Sequence, residues 1–246
     1  MRALLLFSIV FILLIGCIST SKDSEKLLID SAKKAKSLNS YTLEYKRVIA
    51  SYANPNETVH LVPETTITKY KKGDNARWDT LDWLNNSARL YKLGNEYFSC
   101  SLNKTWICQA TSQSKMQEFL GFSVNNPEIS VSRAVSEGAL LLGPVKNDTI
   151  LGRASNCLAI EIYQEKFSKQ DWDEFVLGSV GDNPNSMRNL KAWECLDSET
   201  GVKTELILNY KGEVDGEERT VEVNLKMSGF DQNPNLEDSL FELPRK

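Results

Sequence analysis

The stretch Arg219-Thr-Val-Glu-Val-Asn-Leu-Lys-Met227 decides how the rest of the chain is read. Val221, Val223, Leu225 and Met227 alternate with Glu222, Asn224 and Lys226, so one face is apolar and the other polar. A period of two marks a half-buried β-strand, whereas a helix repeats every ~3.6 residues. Working outward, residues 202–210 and 190–197 show the same pattern, with Cys195 on the face of Trp193 and Asp197. Residues 149–163 put Leu158, Ile160 and Ile162 on one face and Cys157, Ala159 and Glu161 on the other. Towards the N-terminus, Tyr41, Leu43 and Tyr45 begin a run of strand-like segments that continues through 65–71, 76–84, 89–93, 96–102 and 105–110. Lys72-Gly-Asp74, Asn85-Asn-Ser87, Gly94-Asn95 and Asn103-Lys104 separate them, which predicts consecutive antiparallel hairpins.

Helical patterns interrupt this sheet. Residues 23–38 place Leu28, Ala32, Ala35 and Leu38 on one stripe, with Ser21 or Asp23 as cap. Ser114-x-x-Gln117 resembles a capping box before Met116, Phe119 and Leu120. Asn126-Pro127 starts a second helical stretch, with Ile129, Ala134 and Val135 apolar, that runs into Ala139-Leu-Leu-Leu142 and stops at Gly143-Pro144. Ser168-x-x-Asp171 caps a further insert with Trp172, Phe175 and Val176, and residues 178–186 form a loop. The expected class is α+β, a single strongly curved antiparallel sheet with helices covering its concave face.

The N-terminus sets the compartment. Arg2 precedes an apolar run from Ala3 to Ile15, shorter than the ~20 residues of a membrane-spanning helix. Leu14-Ile-Gly-Cys17 resembles the lipobox of prokaryotic lipoproteins, in which the cysteine takes a lipid and becomes the mature N-terminus. The expected organisation is a signal peptide over 1–16, a lipidated tether over 17–22 and one domain over 23–246. An uncleaved anchor helix with an incidental cysteine is the competing reading. Both place the chain at the extracytoplasmic face of a membrane, held there through lipid on Cys17 in the first case.

The 246 residues carry a net charge of -4, and loss of Arg2 makes it -5. No basic excess is present for a phosphate backbone, which argues against nucleic acid as a partner. An acidic surface also argues against general attraction to anionic headgroups. Of five cysteines, Cys17 is assigned to lipid (a palmitate-type chain). The remaining four, Cys100, Cys108, Cys157 and Cys195, are an even set in a disulfide-permissive compartment. Four cysteines allow three pairings. A hairpin centred on Asn103-Lys104 sets residue 100 opposite or nearly opposite residue 108, which favours Cys100 with Cys108 and Cys157 with Cys195. A four-cysteine zinc site competes, but no close pair of zinc-ligand spacing occurs, so no metal is expected. Sequons at Asn56, Asn85, Asn103 and Asn147 are candidate glycosylation sites.

Chemistry is harder to find. His60 is the single histidine, in the strand-like Thr58-Val-His-Leu-Val62, and suits a core or edge position. No nucleophile elbow, phosphate loop or dinucleotide fingerprint occurs. Asp182-Asn-Pro-Asn185 lacks the Gly and Glu of a calcium loop, and Asp171, Asp173 and Glu174 fit the wet face of a helix. The expectation is no catalytic residue, no enzyme and no cofactor.

Three stretches carry a resemblance to a known family. The helix running straight into a strand at Leu38-Asn-Ser-Tyr41 is the first. The second is Trp193-Glu-Cys-Leu-Asp-Ser-Glu-Thr-Gly-Val-Lys-Thr-Glu205, similar to a strand–Asp-x-x-Thr-Gly–strand hairpin. The third is the ending Asp238-Ser-Leu-Phe-Glu-Leu-Pro244. Together they resemble the LolA/LolB-like lipoprotein-carrier fold, shared with the lipoproteins LppX and LprG. That resemblance implies a half-barrel with helices on the concave side and no catalytic residues. The disulfides, sequons and helical inserts depart from the bacterial carriers and suit an archaeal cell-surface lipoprotein. The expected function is binding or transfer of an apolar, lipid-like ligand by a monomer. Leu158, Ile160, Ile162, Leu206, Leu208, Val223 and Leu225 would wall the cavity, with Leu140, Leu141 and Leu142 as a lid. The alternative is a structural or interaction lipoprotein with a solid core, no ligand and a protein partner in the cell envelope.

Overall fold

The computed structural model describes residues 22–53, 60–82, 84–112, 130–167, 188–214 and 216–244. Cys17 with the segment before it, the Asn56 sequon, the 114–129 stretch, the Trp172-Phe175-Val176 stripe and the 178–186 loop lie outside them. In chain order the elements are helix α1 (residues 22–37), β1 (Ser40–Tyr52), β2 (His60–Lys72), β3 (Asn75–Leu81), β4 (Ser87–Leu93), β5 (Glu96–Asn103) and β6 (Thr105–Thr111). Helix α2 (Ser130–Ser136), β7 (Leu140–Leu142), β8 (Lys146–Ile150), β9 (Arg153–Ile162), β10 (Arg188–Asp197), β11 (Lys203–Val214) and β12 (Glu217–Gln232) follow. Short 3-10 turns occupy Gln164–Lys166 and Asp238–Phe241.

Among the described residues all twelve strands form one antiparallel sheet in the order β6-β5-β4-β3-β2-β1-β12-β11-β10-β9-β7, with β8 paired to β9 beyond the end of β7. It is two meanders joined in the middle, where β1 pairs with β12. The outermost strands β6 and β7 are not paired with each other, so the sheet is open.

The register assigns every side chain to a face, because directly paired residues share one. Tyr45, Arg47 and Ile49 of β1 lie opposite Met227, Leu225 and Val223 of β12. Leu206, Leu208 and Tyr210 of β11 continue that row from Leu225, Val223 and Val221. Glu194 and Ala192 of β10, then Leu158 and Ile160 of β9, extend it further. In the other direction it runs through Ile67 of β2, Trp78 of β3 and Leu90 of β4. Apart from Ile49, half-buried against them, these apolar side chains are almost fully buried and belong to one core cluster, which α1 joins through Leu28 and α2 through Val131 and Ala134.

Two register irregularities lie along β1. The β1–β12 pairing skips Ser228, and a second shift sets Pro63 and Glu64 of β2 against Val48. Proline inside a sheet is confined to such bulges and to edges, since it has no N–H to donate. Three expectations change here. Residues 149–163 are not one strand: Leu151 and Gly152, with φ of 52° and 73°, turn the chain between β8 and β9. The 76–84 strand ends at Leu81, because the Asp82 carboxylate accepts the amides of Leu84 and Asn86 and closes a turn. Leu140–Leu142, expected as a lid, is strand β7 on β9.

Candidate functional site

The candidate site is the apolar face. Leu158, Ile160 and Ile162 of β9, Leu206 and Leu208 of β11, and Val223 and Leu225 of β12 all lie on it. Leu140 joins them with 1% of its surface exposed, while Leu141 is 50% exposed. The physical reason is strand alternation: Leu140 and Leu142 pair with Ile162 and Ile160, whereas Leu141 pairs with Glu161 and faces the other way.

Helix α1 lies across one end of the strands and is tied at both its ends. The Ser24 hydroxyl donates to the Gly143 carbonyl at 2.7 Å. Lys34 donates to the Ser198 carbonyl at 2.7 Å, in the β10–β11 turn. At the C-terminal end Lys71 donates to the carbonyls of Lys36 and Leu38, at 3.1 and 2.6 Å, where a helix leaves its last carbonyls without partners. A cleft of 440 Å³ lies beside α1, lined by residues that include Asp23, Lys26, Asp30, Asn156 and Ser198. None of the expected wall leucines or isoleucines lines it.

The β10–β11 turn is the anchor for this helix. Asp197 is buried, and its Oδ1 accepts the Thr200 amide and hydroxyl, both at 2.7 Å, while Oδ2 accepts Arg153 Nε at 2.6 Å. Burial alone would raise its pKa; the bonds from Arg153 and Thr200 outweigh burial and hold the carboxyl below its ordinary range. Gly201 then takes φ of 70° directly against the Ser31 carbonyl of α1.

Both disulfides lie on the opposite face. Cys100 pairs across the ladder with Cys108, and Cys157 with Cys195, each with Cα atoms 4.0 Å apart. Cys157 and Cys195 pack with Ile150 and Trp193 in a small second cluster. The same face carries an ionic and aromatic layer. Arg77 pairs with Asp79 between the rings of Tyr70 and Tyr91, and Arg89 stands 4.1 Å from the Trp106 ring centroid. The C-terminal segment closes over it: Lys72 holds the Leu236 carbonyl and Asp238, Arg77 holds the Leu240 carbonyl at 3.1 Å, and Phe241 is buried.

Sequons at Asn85, Asn103 and Asn147 are exposed. His60, the first residue of β2, pairs by backbone with Ser51 of β1. Among the described residues no group of histidine, cysteine, aspartate or glutamate is arranged to hold a metal, and no helix is long and apolar enough to cross a membrane. The sequence reading overlooked Lys69, Trp78 and Lys92. The signal was present: Ile67-Thr-Lys-Tyr-Lys71 puts two lysines on the parity of Ile67, and hence on the apolar face.

No protein-family profile and no curated protein matches the chain. Solved structures do. The Pseudomonas aeruginosa MucA/MucB complex aligns at 12% identity and TM-score 0.47, over 90% of this chain and 61% of that one. The Mycobacterium tuberculosis lipoprotein LppX aligns at 8% identity and TM-score 0.42, over 85% and 98%. A DUF1329 family protein from Desulfovibrio piger aligns at 11% identity and TM-score 0.37, over 91% and 97%. The chain thus spans about three fifths of the matched chain in the MucA/MucB complex. None of these likenesses bears on the expected archaeal origin.

Proposed function

We propose that this protein is a membrane-anchored, extracytoplasmic lipoprotein of LolA-like half-barrel form that binds or transfers an apolar, lipid-like ligand. The carrying observation is the division of labour between the two faces of the sheet. One face is a largely apolar surface across β9, β10, β11, β12 and β1, broken by Arg47 and the Glu194–Lys203 pair, with α1 laid over one end. The other is polar, ionic and cross-linked by both disulfides. A rigid sheet with one apolar face is the construction an apolar-ligand pocket needs. The helices pack on the face proposed as concave. Cys17 would carry the lipid, with a second chain needed for stable anchoring at ~0.8 kcal/mol per buried methylene. The protein acts by binding, not catalysis.

A solid core is the second reading, favoured by one observation. The expected wall residues are closed off, with Leu158 at 0% and Leu206, Leu208, Val223 and Leu225 at 1% exposed. In that case the protein is a structural or interaction lipoprotein that works with an envelope protein partner. Native mass spectrometry of protein purified gently from its host envelope separates the two. An added mass matching a lipid, lost on organic extraction, is the expected result. A bare polypeptide mass in repeated preparations overturns the ligand reading in favour of the solid core.

A further inference from the structure

The mostly apolar face carries Arg47, the Glu194–Lys203 pair and, at one corner, a cluster of lysines. Where β1 begins and β2 ends, Lys71 and Lys69 lie opposite Tyr41 and Leu43, on the side of the sheet that carries Ile67. Lys92 of β4 lies across Ala76 from Lys71. Three ammonium groups therefore meet on one patch of a mostly apolar face.

Their partners differ. Lys71 is occupied by the two carbonyls at the end of α1. Lys92 reaches the Asp74 carbonyl at 3.3 Å, the long end of a hydrogen bond. Lys69 has no hydrogen bond or ion pair among the described residues. Its ammonium stands 5.2 Å from the Tyr41 ring centroid and 5.3 Å from that of Trp78. Aromatic faces attract a cation but leave its three N–H donors unsatisfied.

A second observation comes from Trp78. It is 2% exposed, and its indole Nε1 has no acceptor. Buried donors are almost always paired, so an orphan beside an unpaired ammonium is a missing acceptor counted twice. Burial, then the like charges of Lys69 and Lys92, pull the Lys71 ammonium below its ordinary range, with Asp74 the acid that opposes them. The lysines are half-buried rather than sealed, so a small group can reach them.

We propose that this corner is an anion site, taking a phosphate or carboxylate through Lys69, Lys92 and the indole N–H of Trp78. Next to the apolar face, it selects an amphiphile whose anionic head sits at the corner and whose chain runs along the sheet. A free phosphate shares the chemistry of the head. The chain part of this statement rests on the apolar-ligand reading above; the anion part does not. It also agrees with the acidic net charge, because a local cation cluster recognises one group without drawing the whole surface to a membrane.

Calorimetry on the mature protein at low ionic strength tests it with three probes: decyl phosphate below its aggregation limit, decanol and inorganic phosphate. Decyl phosphate is expected to bind at least about tenfold more tightly than decanol, as a charge-assisted bond gives. Lys69→Gln should collapse that ratio towards one, Lys69→Arg should keep it, and inorganic phosphate should compete. Equal binding of decyl phosphate and decanol, or a ratio untouched by Lys69→Gln, overturns the anion site while leaving the apolar reading intact. Lys69-dependent binding of inorganic phosphate with no binding of either decyl probe does the reverse. No binding of any probe removes both.

Discussion

Gly201→Ala is the sharpest perturbation of the architecture. Gly201 has φ of 70°, and a Cβ built there would lie 2.1 Å from the Ser31 carbonyl oxygen, with the Ser31 carbonyl carbon and Cα at 2.7 and 2.8 Å. All three are backbone atoms of α1, so no side chain can swing away. Either the turn or the helix must move by more than an ångström. The left-handed conformation alone costs a non-glycine residue about 1–2 kcal/mol. Displacing α1 adds the loss of Leu28 burial, about 1.5–3 kcal/mol. The total is about 3–5 kcal/mol, which for a chain of this size lowers Tm by about 6–20 °C. Gly73→Ala is the control. Gly73 has φ of 57° with nothing within 4 Å of the new Cβ, so it carries the conformational cost without the clash. Thermal unfolding by circular dichroism on both variants isolates the clash, and hydrogen exchange of the 22–37 amides locates it. If the two variants melt at the same temperature, or if α1 stays as protected in Gly201→Ala as in the native chain, the docking argument is wrong.

The Asp197 carboxyl is held below its ordinary range, so its contribution to stability is present above about pH 4 and is lost as pH falls through the folded pKa. Asp197→Asn should therefore cost about 3 kcal/mol at pH 7, with the gap to the native chain closing in denaturant titrations run at successively lower pH. Loop-closure entropy makes the disulfides unequal: removing Cys157–Cys195, separated by 38 residues, should cost about 4 kcal/mol, and Cys100–Cys108, separated by 8, about 2.5 kcal/mol. Urea midpoints of the two double-alanine variants should rank in that order. Leu208→Ala, at a position 1% exposed, should cost about 2–5 kcal/mol, against less than about 0.5 kcal/mol for Leu141→Ala on the outer side of β7. Equal losses at the two leucines would contradict the facing of β7.

Much of the sheet was legible because its signals are local. Alternation in residues 219–227 fixes which side chains share a face, and turn residues at Lys72-Gly-Asp74 and Gly94-Asn95 fix where the chain reverses. The turn signal at Asn103-Lys104 brings residue 100 within one position of residue 108, and the register with Lys104 alone at the tip sets Cys100 directly opposite Cys108. The same logic failed at residues 149–163, where Leu151 supplies the first left-handed residue of the turn and a β-branched-rich sequence hides it.

By itself, then, the sequence determined most of the strands and their faces, the α1 stripe and the neighbourhood of Cys100 and Cys108, each set within one element or across one turn. Only the tertiary structure decided the rest. The pairing of β1 with β12 joins positions nearly 200 residues apart, and no local pattern encodes which edge meets which. Leu140–Leu142 became a strand because the free edge of β9 offered unpaired backbone groups, not because three leucines prefer β. Lys69, Trp78 and Lys92 come from three strands and form a corner only once register is set. A site of this kind depends on distances between strands, and alternation along a strand carries no information about its neighbours.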